Sequence, residues 1–238
     1  MANRKKETLI DHLEALRKVL IKSLVALAVG FVPMFWLAPH IMDALIKVML
    51  SDYPIKLNFF SPMEVFVLQI KIAFLLDVLI CFPYIAREVW HFILPALYDN
   101  ERRFIKSLVL TSSSLFIIGI LFCLFLILPL VVRFGMSFVT DNIQAMFGIG
   151  NIISLALWLS LIFGVMFQFP LITYALIHSE IVSYQTISNK RAYVFVGILI
   201  LSGILTPPDI ISQLLLTLPT YTLFELGLFM AKKRPTPH

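Results

Sequence analysis

Two carboxylates stand where a membrane-bound chain has least need of them. Glu14, in DHLEALR (residues 11–17), lies just ahead of the first long apolar run, and Glu101 lies in VWHFILPALYDNERRFIKS (residues 89–107). Membrane borders favour Lys, Arg and aromatic side chains. A carboxylate accepts a guanidinium as a two-pronged fork, stronger and more directional than an ammonium contact. Two carboxylates at a low-dielectric boundary therefore suit a partner carrying two guanidinium groups. The local alternative for Glu14 is a helix-surface pair with Arg17 or Lys18, worth about 0.3–0.5 kcal/mol when exposed. For Glu101 it is a pair with an arginine of its own loop.

Further ionisable and amide groups fall inside apolar runs, where they are costly and mark function by default. Lys71 and Asp77 interrupt VFVLQIKIAFLLDVLICFPYIA (residues 65–86). Their spacing puts them on different sides of one helix, so they do not pair with each other. Lys71 is expected to snorkel to the interface, and Asp77 to sit deeper against an unidentified partner. Gln168, in FGVMFQFP, stands beside Pro170, which frees a backbone carbonyl for its amide; equally, it can bond a neighbouring helix, worth under about 2 kcal/mol. Glu225, in YTLFELGLF, lies near the end of the last apolar run, within reach of water. Asp209, in TPPD, is placed to cap the helix that follows. An alternative in a different class, a small-cation transporter, requires Asp77, Gln168 and Glu225 to face one cavity.

Nothing in the chain suggests catalysis. There is no G-x-S-x-G, H-E-x-x-H or phosphate-cradling Gly-rich loop. The histidines (His12, His40, His91, His178, His238) are scattered, and Cys81 and Cys123 lie inside apolar runs without disulfide or zinc spacing. We therefore expect no catalytic residue, no metal site, no cofactor and no enzyme activity.

The elements that must position these groups follow from composition. Of 238 residues, 60% are hydrophobic and 14% charged, too apolar for a soluble domain. The net charge of +5 does not point to nucleic acid, because most Lys and Arg flank apolar runs. In hydrocarbon every backbone polar group must be paired within its segment, so the runs read as helices. We expect one all-α integral membrane domain over 1–238, with six spans at roughly 18–38, 65–86, 104–132, 150–177, 193–205 and 210–231. The N-terminus starts like a signal peptide, but its apolar run is long and no cleavage site follows, so it is read as a retained first span. Pro129 is expected to kink or end the third span. The fifth, at about 20 Å, falls short of a hydrocarbon core of about 30 Å.

One membrane face collects Arg4, Lys5, Lys6, Arg17, Lys18, Lys22, Arg87, Arg102, Arg103, Lys106, Lys190, Arg191, Lys232, Lys233 and Arg234, against Lys47, Lys56 and Arg133 on the other. Both termini are therefore expected in the cytoplasm. The far face carries loops at about 38–64 and 134–149 and the TPPD turn, and IMDALIKVML is expected to form a separate interfacial helix.

Read in order, HLEALR, SPMEVF, WHFILPALYDNERR, FGVMFQFP, NKRAYV and LTPPDIISQLLLTLPTYTLFELGLF resemble the TatC family over essentially the whole chain. The resemblance implies six transmembrane helices in a curved, glove-like bundle, with helices five and six short and both termini cytoplasmic. It implies a non-enzymatic receptor of the bacterial cytoplasmic (inner) membrane that binds twin-arginine signal peptides of folded proteins. Such a receptor assembles with TatA- and TatB-type single-span subunits, as a homo-oligomer within a hetero-complex, for export driven by the proton-motive force. It places Glu14 and Glu101 at the paired arginines, with Arg17, Leu97, Tyr98 and Arg102 shaping the pocket. It makes Asp209, Glu225, Gln168, Lys71 and Asp77 the intramembrane or partner-contacting polar residues. Two departures stand out: Gln168 occupies a position usually held by Glu, and Ala15 replaces a second N-terminal glutamate.

Overall fold

The computed structural model describes residues 9–50, 57–58, 60–93, 102–137, 147–179, 181–205 and 210–232. Among them the chain is helical apart from two two-residue strands, β1 (Leu57–Asn58) and β2 (Phe147–Gly148). These pair in parallel, Leu57 opposite Phe147 and Asn58 opposite Gly148. Five helices are long and apolar enough to cross a membrane, and a sixth apolar helix is shorter.

α1 (Leu9–Leu50) is one helix of 42 residues with Pro33 and Pro39 inside it. This departs from the expected end near residue 38 and the separate interfacial helix. Each proline removes one backbone bond. In return the continuation packs Ile41, Met42, Leu45 and Ile46 into a cluster with Ala38, Leu68, Ile72 and Ile153. That burial offsets the broken bonds, so the helix runs on.

α2 (Pro62–Ile93) opens with Ser61 ahead of a proline, a favoured helix start. The Ser61 hydroxyl accepts from Met63 N–H at 3.4 Å. Glu64, in its first turn, reaches outward: one carboxylate oxygen accepts from Phe60 N–H at 2.8 Å and the other from Gly150 N–H at 2.7 Å. The second bond caps the start of α5 (Ile149–Met166) from a different helix, where negative charge suits the helix dipole. Glu64 thereby ties Phe60, just ahead of α2, to Gly150 in the first turn of α5.

The third span is continuous but not uniform. α3 (Arg102–Phe122) passes through a π turn, Cys123–Ile127, into α4 (Leu128–Met136). Leu128 N–H donates to Cys123 O, five residues back, and Pro129 follows at the second position of α4. The wider turn absorbs the expected proline break, so Pro129 neither ends the span nor leaves a gap.

The fourth span does break. α5 ends at Met166, and α6 (Phe169–His178) starts after Phe167–Gln168, with Pro170 at its second position. α7 (Tyr184–Asn189) is short and capped by the Ser183 hydroxyl. α8 (Arg191–Leu205) has 15 residues, about 22 Å. α9 (Ile210–Lys232) has 23 residues and contains Pro219. The span from α5 to α6 is the most enclosed, and that of α1 the most open. Gly227 of α9 lies so close to α6 that an added Cβ would come within 2.6 Å of Pro170 O, which only a glycine permits.

Candidate functional site

Leu13 to Lys18 of α1 are all exposed. Apolar residues at three- and four-residue spacing continue the helix of the first span outward, so Glu14 is carried on a rigid arm. Glu14 Oε1 lies 2.9 Å from Lys18 Nζ, with the two side chains 59% and 68% exposed. The local pair is thus with Lys18 and not with Arg17, which is exposed. A pair this open contributes little to stability and exchanges readily.

One turn beyond Lys18, Lys22 Nζ bonds Glu88 Oε2 of α2 at 2.8 Å. Glu88 is buried and Lys22 is half exposed. Sequence reasoning did not single out Glu88. The available signal was a carboxylate at the end of an apolar helix whose position topology does not require, the same signal that marked Glu14 and Glu101.

The connection between α2 and α3 bears Leu97, Tyr98 and Glu101, which lie outside the described residues. Arg102 opens α3, and its side chain lies outside them too, as does Asp209. The ends of that connection are nonetheless fixed. Ala86 and Trp90 of α2 pack with Ile105 and Leu108 of α3 and Leu171 and Ala175 of α6 in one buried cluster. Phe104 also lies against His178, ring centres 4.5 Å apart.

The intramembrane groups find partners inside the chain. Asp77 is 1% exposed, and Cys81 Sγ donates to its Oδ1 at 3.3 Å. Gly30 of α1 faces this carboxyl, and any Cβ there would collide with it. Lys71, expected to snorkel, donates to the Ser154 hydroxyl of α5 at 2.7 Å. Gln168 is buried at the break between α5 and α6, and its Oε1 accepts from the Ser112 hydroxyl at 2.5 Å. Its Nε2 donates to Ser112 O at 3.2 Å and to Gly164 O at 3.3 Å.

The expected role of Pro170 needs a correction. The carbonyl that Gln168 satisfies in its own span is that of Gly164, because Gln168 N–H turns instead to Val165 O at 3.0 Å. Glu225 is partly exposed: Tyr221 O–H donates to it at 2.9 Å and Arg191 Nε lies 3.3 Å away as an ion partner. Asp77 thus bonds within α2, Gln168 bridges to α3, and Glu225 pairs along α9 and with Arg191 of α8, so the three share no partner, which does not favour a shared cation path. Among the described residues, no group of three or more His, Cys, Asp or Glu is arranged to hold a metal ion.

With this geometry in hand, comparison with known proteins is specific. The residue pattern of the family described as Sec-independent protein translocase protein (TatC) matches residues 11–219. A relative from Carboxydothermus hydrogenoformans, named Sec-independent protein translocase protein TatC, is 35% identical over 226 residues, covering 94% of this chain and 93% of its own. The protein of the same name from Escherichia coli K12 is 35% identical over 231 residues, 95% of this chain and 88% of its own. A crystal structure of the twin arginine translocase receptor TatC in DDM superposes with a TM-score of 0.83 at 31% identity, covering 92% of this chain and 99% of that one.

Proposed function

The chain belongs to the TatC family of Sec-independent protein translocase proteins, and on that premise we propose that it is the receptor subunit of a twin-arginine translocase. It is a multi-pass membrane protein and a transport component rather than a catalyst. In this reading it lies in the bacterial cytoplasmic (inner) membrane with both termini in the cytoplasm, where flanking Lys and Arg retain them. It binds the paired arginines of export signal peptides on folded cargo. It then nucleates assembly with further copies of itself and with TatA- and TatB-type single-span subunits, for transport driven by the proton-motive force.

Glu14 and Glu101 receive the two guanidinium groups, and Arg17, Leu97, Tyr98 and Arg102 shape the pocket around them. The observation that carries this reading is the state of Glu14. It stands on an exposed helical arm, and among the described residues its partner is Lys18, in an open contact at 2.9 Å. A guanidinium offers two parallel charge-assisted bonds where the ammonium offers one, so exchange is favourable. Asp209 and Glu225 serve the far-side turn and the last helix, and the outer faces of α8 and α9 receive partner helices. Gln168 and Lys71 act within the bundle, bonding across its helices, and Asp77 lies buried on α2 where it faces α1.

The test is binding of a fluorescent twin-arginine signal peptide to the full chain in nanodiscs, compared with a twin-lysine peptide and with Glu14→Gln and Glu101→Gln. Each change is expected to weaken binding, and loss of two charge-assisted bonds to cost about 2–4 kcal/mol, roughly 30–1000-fold. Equal binding in every combination would remove these carboxylates from the site.

A further inference from the structure

The arm of α1 that bears Glu14 is exposed, and it packs into no apolar cluster among the described residues. Leu13 to Lys18 are exposed, and the apolar cluster that seats α1 begins only at Phe31. Between that seat and the arm, Gly30 of α1 lies close against Asp77, the single Cys81 thiol proton is shared between Asp77 Oδ1 and Ala26 O, at 3.3 and 3.6 Å, and Lys22 bridges to Glu88 at 2.8 Å. Among the described residues the ion pair is the tie nearest to Glu14. Its acidic member sits on the stretch of α2 that ends in the Ala86–Trp90–Ile105 cluster, the base from which the 94–101 connection departs.

We infer that the Lys22–Glu88 bridge is the fulcrum that sets the direction of the Glu14 arm relative to α2, which makes both residues positioning residues for signal-peptide binding. The inference rests on the receptor reading. From Lys22 to Glu14 is about two helical turns, roughly 12 Å, so a tilt of about 10° at the bridge moves Glu14 by about 2 Å. That is enough to spoil a forked guanidinium contact, whose bonds hold only within a few tenths of an ångström. The buried member makes the fulcrum firm. Without Lys22 the buried Glu88 carboxylate loses that charge partner, and it gains hydration if the arm swings away.

The experiment uses the full chain in nanodiscs, with Cys81→Ser and Cys123→Ala and spin labels placed through Ala15→Cys and Val89→Cys, both exposed positions. Distance distributions are read alongside affinity for the twin-arginine peptide. Lys22→Met and Glu88→Gln should each broaden the label distance and weaken the peptide by about fivefold, the scale of a lost half-exposed ion pair. The exchanged pair Lys22→Glu with Glu88→Lys should restore both. If the exchanged protein is not monodisperse, Lys22→Arg takes its place, and it must keep wild-type width and affinity.

An unchanged distance in both single variants overturns the proposal. So does tighter binding in Lys22→Met, which would make Glu88 a direct ligand of the peptide. Glu14→Gln should alter affinity and leave the distance alone. A wild-type protein that fails to bind the peptide therefore sinks the receptor reading, while the distance measurement still decides the fulcrum.

Discussion

The Gln168 carboxamide holds Ser112 at two points, accepting from its hydroxyl at 2.5 Å and donating to its backbone carbonyl at 3.2 Å. With the further bond to Gly164 O, both amide protons are spent on carbonyls of the chain itself. Gln168 therefore stitches α3 to the break between α5 and α6. Nothing in this geometry reserves it for a ligand.

Gln168→Ala should leave the Ser112 hydroxyl and the Gly164 carbonyl short of partners in a buried site. The expected loss is about 1–3 kcal/mol of bundle stability, read from thermal unfolding in detergent. Gln168→Glu should behave differently with pH. A protonated acid donates one bond, whereas an ionised one donates none and faces two carbonyl oxygens. That variant should be closest to wild type in acid and lose stability as pH rises through the glutamate's titration. A pH-independent difference would contradict the bonding described.

Lys18→Gln should free Glu14 at negligible structural cost, since both partners are largely exposed. Peptide affinity should stay level or rise, by no more than about threefold, because an open ion pair competes weakly. A marked loss would mean that Lys18 itself contacts the peptide.

Glu64→Ala should release Phe60 N–H and Gly150 N–H, which its carboxylate now accepts from at 2.8 and 2.7 Å. Hydrogen exchange should quicken at both amides and through the Leu57–Phe147 pairing, with little change at Gln168. Glu64→Gln keeps one strong acceptor and should show an intermediate effect, confined to one of the two amides.

The all-α membrane fold was legible because hydrocarbon leaves a long apolar run few other options, and the order of motifs carried the family. What the sequence concealed was anything settled by packing between distant segments. Pro39 reads as a helix end, yet the cluster with Leu68 and Ile72 repays continuation to Leu50. Glu88 carries no local mark of its bond, because Lys22 is 66 residues away. For Gln168 the sequence leaves open a bond beside Pro170 and a bond between helices; the second holds, and its partner, Ser112, could not be named because it lies 56 residues earlier on another helix. Glu14 was identified from its placement, and its choice of Lys18 over Arg17 depended on rotamers that spacing leaves open. Glu101 and Asp209 lie outside the described residues, so their placement rests on sequence and family alone.

The π turn at Cys123–Ile127 preserves the phase of everything that follows it. It has the form of one residue inserted into an α-helix and taken up without a loop. Removing one residue there would let the ladder close as a plain α-helix, and the side chains beyond it would keep their facing. One residue removed from the regular helix on either side would instead turn one end of the span by about 100° against the other, and Leu128 would leave its place against Ile152 and Ala156, with Val132 swinging out of the core. A single-codon deletion at this turn should therefore be tolerated far better than one within α3.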